Sequence, residues 1–180
     1  VDQLGEKAGC RLALVYVPAV DCWLFGEPRA VLANALTRMQ PWQPISTPMP
    51  GAILDVPDSK ACSFYQASRA ATYLALSPNP PVVPGGTIVV RARCPEGLGS
   101  EEGFVSALRN SEPPWSELLS GDPPCGAGAQ RAVMLARMAL RYNLVVEGCS
   151  TSSELCSVGI DASPSVRDWP ATWLHVQHPF

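Results

Sequence analysis

GGTIVVRARCPEGLGSEEGF, residues 85–104, joins a β-branched, apolar run to a glycine-punctuated loop and then to the start of a helix. Residues 87–92 have the composition of a central strand. Gly97 and Gly99 free the following backbone to turn sharply and let a ligand approach closely. Ser100 stands where it can cap a helix whose first turn carries Glu101 and Glu102. A strand–loop–helix junction of this kind leaves N–H groups unpaired at the helix start, a place for a carboxylate or phosphate, although a plain tight turn needs the same glycines. The loop is neither GxGxxG nor GxxxxGK[ST], so a dinucleotide or triphosphate reading lacks its fingerprint.

Working outward, residues 52–56 read as a short buried strand and 64–76 as a helix with Tyr65, Ala67, Ala70, Ala71 and Leu74 available for packing. The breaker SPNPPVVPGG then leads into the 87–92 strand. A helix over 101–109 follows, then a proline-rich stretch over 111–128 with the character of a mobile flap. Residues 130–142 place Ala132, Val133, Leu135, Ala136, Ala139 and Leu140 on one apolar stripe, and 143–147 is a strand. A helical turn over 151–156, a segment over 157–160 and a last strand over 173–177 complete the alternation. Upstream, strands at 12–17 and 23–25 form a hairpin before a helix over 29–39, and four prolines within 40–50 mark a connector. The fold class expected is therefore α/β, an open, mainly parallel sheet with helices on both faces, preceded by a small β-β-α segment.

Hydrophobic residues make up 47% and charged residues 16% of the 180, which excludes disorder for most of the chain and implies apolar surface that a further domain or partner subunit covers. With a net charge of −3 and no long basic run, no nucleic-acid partner is expected. No apolar stretch approaches a membrane span and no basic segment precedes an apolar leader, so a soluble, cytoplasmic protein is the expectation. The seven cysteines include no CxxC pair, which argues against a disulfide framework and a zinc site and for reduced thiols. His175 and His178 fall on opposite faces of the last strand and its exit, as terminal surface residues, and no metal site is expected in the chain.

YQASRA, at 65–70, carries the other candidate chemistry. Gln66 and Arg69 are one helical turn apart and project from one face, so a carboxylate can bridge an arginine fork and an amide donor; two solvated polar residues at an exposed helix start are the plainer alternative. Cys94 ends a strand where open α/β sheets hold ligands, but with no histidine nearby it reads as a buried structural thiol. Glu96 is a candidate for proton handling against the usual fate of a solvated turn acid. Cys149 to Ser153 offers a hydroxyl-rich cradle at a helix start but no GxSxG elbow.

YQASR, the Gly85-Gly86 strand start and CPEGLG at 94–99, in that order and spacing, resemble the C-terminal domain of the nickel-pincer-nucleotide-dependent lactate racemase family. The resemblance implies that Gln66, Arg69 and Tyr65 bind substrate and that Glu96, Gly97, Gly99 and Ser100 form a loop near the cleft. The family carries lysine where this chain has Arg69, which keeps the charge but not the geometry. It further implies that residues 1–50 end a missing N-terminal domain and that 51–180 form the racemase-like C-terminal domain. The nickel-pincer nucleotide and the groups that move the proton would belong to that N-terminal domain, so no catalytic residue and no cofactor is expected in this chain alone. Its partners would be a small 2-hydroxy acid or other carboxylate and the missing domain or a partner subunit. A stand-alone carboxylate- or nucleotide-binding module, or a degenerate homologue kept for protein interaction, remain the alternatives.

Overall fold

In the computed structural model, which describes residues 7–17, 20–38, 47–122, 124–177 and 179, the strand expected at 87–92 is the end of β4 (Val82–Arg91). It is the centre of a five-stranded sheet with β3 (Met49–Asp55), β5 (Asn143–Glu147), β6 (Asp161–Ser163) and β7 (Leu174–Gln177), in the order β6-β5-β4-β3-β7. Every pairing in it is parallel. The connecting helices are α2 (Phe64–Ala75), α3 (Glu102–Arg109), α4 (Ala129–Ala139) and α5 (Ser152–Ser157). The sheet occupies one compact unit, Ser46–Phe180, and Val1–Ile45 form another.

The open parallel α/β sheet and its β-β-α preface are as expected, but the two faces of the sheet differ. β3, β4, β5 and β6 are laid down side by side in one direction, and crossovers of constant hand then bring their helices to the same face. Leu54, Ile88, Val90 and Val146 of the sheet join Phe64 and Ala71 of α2, Phe104 of α3, Leu135 of α4 and Leu155 of α5 in one buried cluster. The chain reverses direction only to reach β7 beyond β3. Among the described residues, the opposite face, Ile53, Val89 and Val145, is met by Trp169 and Trp173 from that return, stacked at 4.7 Å, rather than by a helix.

Several boundaries move for identifiable reasons. β4 starts at Val82 inside the stretch read as a breaker, because Val82 already pairs with Met49 of β3 and Gly85 donates its N–H to Arg141 O at 2.7 Å, while Pro84 between them takes part in neither ladder. β3 likewise starts at Met49; most of the connector expected at 40–50 lies outside the described residues. Residues 157–160 form the end of α5 and the turn out of it. α5 closes in a Schellman turn at Gly159 (φ +80), with the Ile160 N–H donating to the Leu155 carbonyl at 3.1 Å, and β6 follows. The 111–128 stretch is packed rather than free as a flap. Trp115 is buried in the main cluster, Ser116–Leu119 form a 3₁₀ turn, and the Gly126 backbone sits against Gly103.

In the Val1–Ile45 unit, β1 (Ala13–Val17) and β2 (Cys22–Gly26) pair antiparallel. One side of the hairpin packs Val17 and Leu24 against Val31 and Ala35 of α1 (Pro28–Arg38). The other side exposes Leu14, Tyr16, Trp23 and Phe25. The Glu27 carboxylate accepts the Arg29 and Ala30 N–H groups at 3.1 and 2.8 Å, which holds its pKa below the ordinary glutamate range.

Candidate functional site

Ser63 caps α2, its hydroxyl accepting the Gln66 N–H at 3.4 Å. The two preceding donors are taken by the glycine loop: Phe64 N–H donates to Gly97 O at 2.8 Å and Tyr65 N–H to Leu98 O at 3.1 Å. The start of α2 is thus closed by its own chain and offers no free N–H for an anion. Its chemistry lies on its side. Eight of the twelve α2 residues are buried, and Gln66, Arg69 and Tyr73 form the outward stripe.

Tyr65 anchors that stripe. Its ring is buried edge-on to Phe104 at 5.3 Å, and it sits so close to Gly99 and Gly128 that a Cβ on either would fall 3.1 and 2.8 Å from it. Arg69 lies 5.3 Å over the Tyr65 ring centroid and donates to its hydroxyl at 3.5 Å. Neither the Arg69 Nε nor the Gln66 Oε1 has a partner, and among the described residues no carboxylate pairs with Arg69. Arg131 of α4, not singled out by sequence, lies one turn further along, donating to Thr72 Oγ1 at 3.0 Å and stacking 5.5 Å over Tyr73. Its only signal was the row of arginines outside the α4 stripe.

The loop is built differently from its expectation. Gly97 (φ +59) is crowded by the Glu154 carboxylate, which pairs with Arg109 at 3.1 Å, so an internal acid occupies the ground proposed for an anion. Ser100 does not cap α3; Glu101 is the N-cap residue and no side chain makes the cap bond. Glu96 is exposed, its N–H donating to Cys62 O at 2.9 Å.

Cys94 is fully buried, and burial, then the neighbouring Cys149, pushes its thiol well above the usual cysteine range, which removes it as a nucleophile. The hydroxyls expected to form a cradle instead tie α5 to β4. Ser150 Oγ donates to Arg93 O at 2.9 Å and Thr151 Oγ1 to Cys94 O at 2.7 Å. His175 is half-exposed but paired with Asp55, so it is more than a solvated terminal residue; His178 lies outside the described residues. No helix among the described residues is long and apolar enough to cross a membrane.

The comparisons bear on this geometry. The chain shares its fold with a lactate racemase. The structure of the lactate racemase apoprotein from Thermoanaerobacterium thermosaccharolyticum superposes with a TM-score of 0.70 over 99% of this chain, at 16% identity. The match spans 46% of that racemase chain, a little under half its length. No family model and no curated protein matches the sequence. Among the described residues, no group of three or more His, Cys, Asp and Glu side chains is placed to hold a metal ion.

Proposed function

We propose that this chain is the substrate-cleft domain of a 2-hydroxyacid racemase-like isomerase, in which Gln66 and Arg69 hold the substrate carboxylate. The observation that carries the reading is the outward stripe of α2, where a guanidinium with no acidic partner among the described residues stands beside the Gln66 side-chain amide. Arg69 supplies a planar fork for two carboxylate oxygens, and the Gln66 amide can donate to the same carboxylate or to the neighbouring hydroxyl. Tyr65 positions Arg69 from below, and Gly128 leaves room for its ring. The shared fold and the coverage of about half the racemase chain support a division in which residues 51–180 form one wall of a cleft and 1–50 lead in from a further domain.

Among the described residues no three His, Cys, Asp or Glu side chains converge to hold the metal of a nickel-bearing nucleotide. In this reading the cofactor and the groups that handle the proton belong to that further domain, and no step is routed through them here. The thiols at positions 10, 22, 62, 94, 149 and 156, none of them in a disulfide, accord with a reducing, cytoplasmic setting.

Calorimetric titration with lactate and pyruvate tests the reading. Binding is expected to weaken at least about tenfold in Arg69→Ala, the scale of a lost charge-assisted hydrogen bond, with the circular dichroism spectrum unchanged. Equal affinity in the variant removes Arg69 from the site, and no binding by either protein overturns the carboxylate reading.

A further inference from the structure

Among the described residues, the β1–β2 hairpin is covered on one side only, by α1. Its ladder sets Leu14 beside Phe25 and Tyr16 beside Trp23 on the other side, and Leu12 continues that row in sequence just before β1. The Tyr16 and Trp23 rings meet at 5.0 Å. All five side chains are between 42% and 70% exposed, and neither strand contributes a charged residue to stand among them. The period of two that turns Val17 and Leu24 inward onto Val31 and Ala35 also turns this row outward, so both faces of the hairpin are apolar. A two-stranded ribbon is marginal by itself, and apolar residues on both its faces are the pattern of a strand pair buried between two layers.

The second layer that fits is another hairpin of the same kind. At about 150–250 Å² for a large aromatic side chain, those exposures leave roughly 500 Å² of apolar surface bare. A stable dimer takes about 800 Å² from each partner, of which about two-thirds is apolar when the partners are identical, so this one face supplies the apolar share of a homodimer interface. The two ends of the hairpin carry opposite charges. Arg11 lies just before β1 at the open end, and Asp21 stands at the turn, its Oδ1 accepting the Tyr16 hydroxyl at 2.7 Å. Glu27, also at the open end, is turned onto the first N–H groups of α1. A two-fold axis across the strands lays the turn of one copy over the open end of the other and brings Asp21 towards Arg11, whereas an axis along the strands sets like ends together. The same reversal stacks the Tyr16–Trp23 pair of one copy over the Leu14–Phe25 pair of the other, at the spacing of about 10 Å that packed sheets adopt. We infer that this face docks a second copy of the chain, giving an isologous dimer whose core is the two stacked hairpins. The surface is independent of the carboxylate reading, which uses α2.

Sedimentation equilibrium of the full chain tests the inference. The unmodified protein is expected to dimerise, and Trp23→Lys and Phe25→Lys are each expected to weaken the dimer at least about thirtyfold, the scale of a central aromatic anchor. Leu36→Lys, at an exposed position of α1, is expected to leave it as it is. Asp21→Asn suits the left-handed backbone there (φ +45) and keeps an acceptor for Tyr16 while removing the charge, and it is expected to weaken the dimer several-fold at low salt. Dilution of the unmodified protein gives a reading that needs no variant to fold: tryptophan emission is expected to shift to the red as Trp23 leaves the interface, with the midpoint found by sedimentation. A monomer at every concentration, with a further domain or a lipid surface as the cover instead, overturns the inference. A dimer that survives both aromatic substitutions, or that Leu36→Lys weakens equally, overturns it as well, and unchanged affinity in Asp21→Asn overturns the reversed stacking.

Discussion

Trp173 covers the second face of the sheet by lying on Gly51, and the fit leaves no room for a side chain there: a Cβ at Gly51 would enter the indole ring. The backbone at Gly51 is ordinary extended strand, so space and not conformation requires the glycine. Gly51→Ala is expected to push Trp173 off Ile53 and Val89 and to cost about 1–3 kcal/mol, the range for overpacking a well-filled core. Urea unfolding followed by tryptophan fluorescence checks this, with an unchanged midpoint as the contrary result. The residue scale also separates the two chemistries on the sheet. Arg69 is engaged by the ring and hydroxyl of Tyr65 and, among the described residues, by no acid, whereas Arg91 and Arg167 are committed to acids.

Among the elements, α1 shows how a short helix is started. Glu27 accepts two of its first N–H groups, a bond that the carboxylate makes and the acid does not make as well. Because folding lowers the Glu27 pKa, its contribution is present above the ordinary glutamate pKa and is lost as pH falls through the lowered folded value. Protection of the Arg29 and Ala30 amides, measured as exchange relative to the intrinsic rate at the same pH, is therefore expected to fall as the solution is acidified through that range, and to be insensitive to it in Glu27→Gln. A pH-independent protection factor at these amides in the unmodified protein would contradict the cap. The sequence made the continuous runs legible, such as NLVVE for β5, and the three-residue spacing that puts Gln66 and Arg69 on one stripe. It hid the start of β4, where Pro84 and two glycines read as a stop but only interrupt the ladder to β3 between Val82 and Thr87. It also hid Glu154 against Gly97 and Glu147 against Arg91, since contacts between distant segments leave no period to read.

At the scale of the whole molecule, the two units are unequal in the means to hold themselves together. The Ser46–Phe180 unit buries Phe64, Phe104, Leu54, Ile88, Leu98, Leu108, Leu135, Met138 and Leu155 completely. At about 1.5–3 kcal/mol for each large apolar side chain removed from water, that core can offset the entropy of ordering its chain. Among its described residues the Val1–Ile45 unit has four buried core residues, two of them Val31 and Ala35, and it leaves Trp23 65% and Phe25 70% exposed on the far side of its hairpin. Chains of that size seldom fold alone without a staple. Residues 46–180 expressed alone are therefore expected to unfold cooperatively in urea, with the Trp169–Trp173 stack giving the same emission change as in the intact chain, while residues 1–45 alone give no cooperative transition. A cooperative transition in the short fragment would mean that four residues suffice as its core; a non-cooperative one in 46–180 would mean that the parallel sheet depends on the hairpin unit for its stability.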